Sequence, residues 1–194
     1  MTAVDQVLTF DAAQHIYRLG QRTLPSVTTV LKTVGLIDGT WFTADSAVRG
    51  THVHTATELF DKGILDIKTV DPAIKPYLDA YARFMLESGA HWVDIEKRLY
   101  DGVRGYAGTL DREGTINGER CILDIKTGPP QPWHRVQLAG YADLIREPGE
   151  PVKRWGLWLQ RSGIYRLLPY TDRSDRSVFR AALTLARFKE VNKC

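Results

Sequence analysis

A two-residue turn with a strand on either side constrains this chain more than any other feature. Asn117-Gly118 accepts positive backbone φ at little cost and separates two runs of strand character, 107–116 and 120–127, so the stretch 108–128 reads as a β-hairpin. On its second strand the period-2 pleat puts Asp124 and Lys126 on one face and Ile125 on the other. On the first, Gly108-Thr109-Leu110 leads to Asp111, which antiparallel pairing brings towards Asp124. An Asp and a Lys at this spacing commonly form a solvated surface pair. Here Asp124 sits in the apolar run Cys121-Ile122-Leu123-Asp124-Ile125, which argues for an interior strand, where an uncompensated carboxylate is costly. Two neighbouring carboxylates with an open side suit a hard divalent cation, Mg²⁺ or Mn²⁺.

Around the hairpin the pattern alternates helices and strands. Short strands are expected over 7–10 and 15–19, and a helix capped by Ser26 runs to Gly35. A second helix covers 43–62, with Val53, Ala56 or Thr57 and Phe60 facing inward and Ala47, Gly50, His54 and Glu58 along another face. Its interior glycine costs ~1 kcal/mol against alanine, which suggests close approach of another backbone or of a ligand one turn before His54. His54 reads either as a core histidine bonded to Glu58 or as a metal ligand whose ring Glu58 orients; His52 points elsewhere. Asp71-Pro72 is expected to open a third helix that runs to Ser88. A strand over 92–100 carries Glu96, a helix from Trp133 to about Arg146 carries a polar face of His134, Gln137 and Tyr141, and a second hairpin spans 153–160 and 164–170. The last helix, 173–191, has a basic stripe of Arg176, Arg180 and Arg187.

In order along the chain, Gly108-x-x-Asp111, Asp124-x-Lys126-Thr127 and Gln137-x-x-x-Tyr141 resemble the active-site signature of the PD-(D/E)XK nuclease superfamily, in its RecB-like branch. Upstream, Gly50-Thr51-x-x-His54 resembles the helix that gives that branch its histidine metal ligand. Leu24-Pro25-Ser26-Val27-Thr28 is similar to the entry segment of mitochondrial genome maintenance exonuclease and related phage exonucleases. The resemblance implies an α/β, restriction-endonuclease-like fold, a mixed central sheet flanked by helices. It implies Mg²⁺- or Mn²⁺-assisted hydrolysis of DNA phosphodiesters, with His54, Asp111, Asp124 and the main-chain carbonyl of Ile125 as metal ligands. Lys126 would position the attacking water or stabilise transition-state charge, and Glu96 and Gln137 would support the metal or the phosphate. By the resemblance Ser26 would lie beside DNA, although it also reads simply as a helix cap; Trp133 and the polar face of His134, Gln137 and Tyr141 read either as a DNA-facing surface or as ordinary surface residues. Some RecB-like relatives hold an iron–sulfur cluster on four cysteines; Cys121 and Cys194, the two present, imply none here.

At 194 residues one domain is the default, and 43% hydrophobic with 25% charged residues is ordinary for a globular protein. No apolar run approaches the ~20 residues of a membrane span, and no signal or transit peptide is visible, so a cytoplasmic location is expected. The net charge of +3 permits nucleic acid without requiring it. The expected activity is an exonuclease on single-stranded ends of linear DNA, in recombination, repair or phage DNA processing. A binding module that no longer cuts and a structure-specific endonuclease share the motifs.

Overall fold

The hairpin forms as its turn dictates. β5 (Tyr106–Ile116) and β6 (Glu119–Lys126) pair antiparallel around Asn117 and Gly118, at φ 49° and 77°, the backbone of a type I′ turn. The computed structural model describes residues 7–38, 43–145 and 152–192. β4 (His91–Asp101) lies antiparallel to β5. β7 (Lys153–Leu159) lies parallel to β6, reached through α4 (Trp133–Leu144), and β8 (Tyr165–Pro169) pairs antiparallel with β7. The strand order is β4-β5-β6-β7-β8.

Helices cover both faces, which is why β6 reads as a continuous apolar run. On one face α1 (Val27–Thr33), α4 and α5 (Ser174–Asn192) pack Val27, Val30, Leu138, Phe179 and Leu183 against Leu110 and Ile122. On the other, α2 (Ala44–Asp61) and α3 (Lys75–Ser88) pack Val53, Tyr77, Tyr81 and Phe84 against Cys121, Leu123, Ile125 and Leu157. This mixed sheet between helices is the restriction-endonuclease-like arrangement expected from the sequence.

Three details differ from expectation. The amino-terminal strands β1 (Leu8–Asp11) and β2 (Ile16–Leu19) are joined by β3 (Arg22–Leu24), which is too short to show an alternating pattern. This small sheet is tied to the main one by a bridge between Ser26 and Ala107 and by the 2.6 Å hydrogen bond between the Tyr17 and Thr109 hydroxyls. α3 starts at Lys75 rather than at Asp71-Pro72, because the Asp71 carboxylate accepts from the Ala73 amide and folds a separate turn; Pro76 occupies the first helical turn. On the α5 stripe Arg176 and Arg180 are exposed but tied down, since both engage the buried Asp143 carboxylate. Arg146 and Cys194 lie outside the described residues. Among the described residues no helix is long and apolar enough to cross a membrane.

Candidate active site

Three carboxylates form one row across three adjacent strands. β4 and β5 pair at Ile95↔Arg112 and Lys97↔Leu110, so Glu96 and Asp111 occupy the step between. The β5–β6 ladder ends at Arg112↔Leu123, so Asp111 and Asp124 occupy the step after it. Regular pairing breaks at this row. Glu96 has φ 51°, a left-handed backbone that costs a glutamate about 1–3 kcal/mol, and the Asp111 carboxylate accepts the Ile125 amide at 2.7 Å.

α2, capped by the Thr43 hydroxyl, brings His54 to the same place. Its Nε2 is 3.1 Å from the Ile125 carbonyl oxygen, and its Nδ1 is 3.6 Å from both Glu96 Oε1 and Asp111 Oδ2. Glu58 does not orient the ring as expected, because it is paired along the helix with Lys62. Among the described residues no other backbone closes on Gly50 either: none lies within 4 Å of where its Cβ would be, and the residue lines a cavity.

His54, Glu96 and Asp111 offer ligand atoms that all lie within 4.8 Å of one another. Adjacent ligands on an octahedral Mg²⁺, with bonds of 2.0–2.1 Å, stand ~3 Å apart, and two carboxylates with an imidazole are donors a hard or borderline cation accepts. The residues therefore fit a divalent metal. Of the expected ligands, His54 and Asp111 stand in this group. Glu96 joins it, whereas Asp124 lies beside it with Oδ2 2.6 Å from Lys126 Nζ, and the Ile125 carbonyl faces His54.

The electrostatics show why a cation suits this place. Burial pushes the Asp124 carboxyl up to about 6 against the pull of Lys126, and burial raises Asp111 against the pull of His54. Burial opposes charge on His54, but Asp111 and Glu96 outweigh it and raise the imidazole to about 9. Without a metal, His54 is thus the cluster's own counter-ion.

Lys126 is held from a second side by Gln137, whose Oε1 accepts from Nζ at 3.0 Å; the Gln137 amide in turn donates to Tyr141 Oη and Thr28 Oγ1, at 3.3 and 3.4 Å. Gln137, Tyr141 and His134, expected on a DNA-facing surface, are all buried. A Cβ at Gly108 would stand 2.6 Å from the Tyr141 ring, so the glycine of Gly-x-x-Asp is required by the tyrosine of Gln-x-x-x-Tyr. His134 Nδ1 accepts from the Gln131 amide at the start of α4, and burial holds its pKa down at about 3. Ser26 is buried and caps α1 by accepting the Thr29 amide. Trp133 is partly exposed, with Lys126 Nζ 5.7 Å from its ring centroid. A cavity of about 760 Å³ opens here, lined by α2 from Ser46 to His54, by Lys126 to Pro129 and by Trp133.

Arg112, the largest fully buried side chain among the described residues, gave one signal in the sequence, a charge within an interior strand.

No protein-family model and no curated protein matches this chain in sequence. Solved structures resemble it at low identity. LHK-Exo, an alkaline exonuclease from Laribacter hongkongensis, aligns at TM-score 0.40 and 13% identity over 87% of this chain and 92% of that one. Its complex with dAMP aligns at 0.49 and 12%, over 88% and 89%. A candidate exonuclease from Eubacterium rectale aligns at 0.49 and 14%, over 84% and 71%. At this degree of similarity the functional reading rests on the chain's own geometry.

Proposed function

We propose that this chain is a divalent-metal-dependent deoxyribonuclease, and more narrowly an exonuclease that works on single-stranded ends. The observation that carries the reading is the row Glu96–Asp111–Asp124 across adjacent strands, met by His54 from one side and Lys126 from the other. Buried acids rarely gather without a charge to balance them, and His54 and Lys126, which flank the row, both line the cavity.

His54, Glu96 and Asp111 would hold Mg²⁺ or Mn²⁺, with Asp124 and the Ile125 carbonyl beside them. When bound, the metal supplies a Lewis acid for the scissile phosphate and lowers the pKa of a coordinated water. Asp124 and Gln137 fix the Lys126 ammonium between them, so it can orient the attacking water or meet charge developing on phosphate oxygens without reorganising. Trp133 offers an apolar face beside that ammonium on which a base can stack. Gln137 and Tyr141 act through Lys126 and β5 rather than as DNA contacts.

The test is cleavage with Mg²⁺ or Mn²⁺ of linear and circular substrates, single- and double-stranded. Metal-dependent loss of linear single strands is expected, and inactivity on all four would remove the enzymatic reading in favour of a binding module.

A further inference from the structure

Arg112 takes no part in the mechanism above, yet its contacts reach every member of the donor set. Its side chain is fully buried. Nη1 donates to Glu96 Oε1 at 3.3 Å and to the Asp111 carbonyl oxygen at 2.7 Å. Nη2 donates to Thr57 Oγ1 at 3.2 Å, and that hydroxyl donates to the His54 carbonyl oxygen at 3.0 Å. Nε donates to Asp61 Oδ2 at 2.6 Å, an oxygen that also accepts from the Tyr81 hydroxyl at 2.6 Å. The guanidinium thus links β4, β5 and α2, the three elements that carry the donors.

We infer that Arg112 is the positioning residue of the metal site, holding Glu96 directly, Asp111 through the main chain and His54 through Thr57. The inference rests on reading His54, Glu96 and Asp111 as metal ligands. Arginine suits the task because its planar fork fixes several acceptors at set angles, whereas an ammonium is a point charge on a flexible stem. Asp61 shares the balancing of the buried charge from the far side, so the guanidinium spans two acids and fixes the direction of the Glu96 carboxylate. Groups that orient metal ligands typically change metal affinity by about 10- to 100-fold when removed.

An arginine that merely ties α2 to the sheet would alter stability and leave affinity alone. The experiment is therefore a Mn²⁺ titration of the full chain, followed by the electron paramagnetic resonance signal of free Mn²⁺, with folding checked by circular dichroism. Arg112→Lys should weaken Mn²⁺ binding about 10- to 100-fold in the folded protein. Thr57→Val severs only the His54 arm by removing both hydrogen bonds of the Thr57 hydroxyl, and about two- to tenfold weakening of Mn²⁺ binding is expected. It keeps the inference testable if Arg112→Lys does not fold. Asp143→Asn, which disturbs the separate ion cluster between α4 and α5, should lower the melting temperature with wild-type affinity. Wild-type affinity in a folded Arg112→Lys, or in Thr57→Val, overturns the inference alone. Absence of Mn²⁺ binding by the wild-type chain overturns the ligand reading and this inference with it.

Discussion

In the proposed mechanism Lys126 is one of few groups that carry the chemistry, and several others prepare it. Its ammonium is held between Asp124 and Gln137 and lies within reach of the Trp133 ring. Asp124→Asn and Lys126→Ala should each abolish cutting while DNA binding in a mobility-shift assay changes little, since affinity is spread over many phosphate contacts and transition-state stabilisation over few. Unchanged cleavage by Lys126→Ala would remove its proposed role. His134 supports a different prediction. Its folded pKa is depressed to about 3 by burial and then by Lys126, against an unfolded value of 6.5. Its contribution to stability is thus present above 6.5 and lost as pH falls towards 3, because the unfolded chain takes the proton more readily. The slope is at most ~1.4 kcal/mol per pH unit. Urea denaturation between pH 4 and 7 should show a shallower loss in His134→Gln than in wild type, and parallel curves would count against a neutral buried imidazole. At this scale the sequence showed Asp111, Asp124, Lys126 and His54 through their spacing. Arg112 was not legible, because its role depends on Thr57 and Asp61, which reach it from a helix some fifty residues earlier.

The elements explain why the motifs come in the types they do. Gly-x-x-Asp and Gln-x-x-x-Tyr lie on β5 and α4, and the Tyr141 ring occupies the space a side chain at Gly108 would need. Gly108→Ala should therefore displace α4, destabilise the fold by about 1–3 kcal/mol as overpacking does, and reduce activity by shifting Gln137 from Lys126. Adding Tyr141→Leu, which shortens the opposing side chain, should recover part of the lost stability in thermal melts; a double variant no more stable than the single would argue that the clash is relieved elsewhere. The hairpin, the parallel return through α4 and the helices on both faces follow from apolar periodicity and turn chemistry. What periodicity leaves out is non-local. β3 has three residues, the start of α3 is moved by a turn at Asp71, and α4's polar side faces inward because Lys126 and Gly108 supply partners that no pattern within α4 reveals.

The whole molecule sets how a substrate reaches the row. The cavity beside His54 and Lys126 is walled by α2, by Leu36 and Asp38 after α1, and by the segment from Lys126 into α4. On the proposed reading a flexible strand enters end-first along these walls, with Trp133 as a stacking platform worth ~1–3 kcal/mol per base. A rigid duplex or a closed circle offers no end to thread. Two outcomes should therefore appear together. Cutting of linear single strands should weaken steeply with salt, because phosphate neutralisation releases counter-ions, and circular single strands of the same sequence should persist under conditions that consume the linear form. Trp133→Ala should raise KM for long single strands more than it lowers kcat, since stacking holds ground and transition states alike. Rapid cutting of circular single-stranded DNA by the wild-type chain would overturn the threaded reading. It would leave the metal chemistry of the row intact and place it in a cleft that opens sideways, as an endonuclease requires.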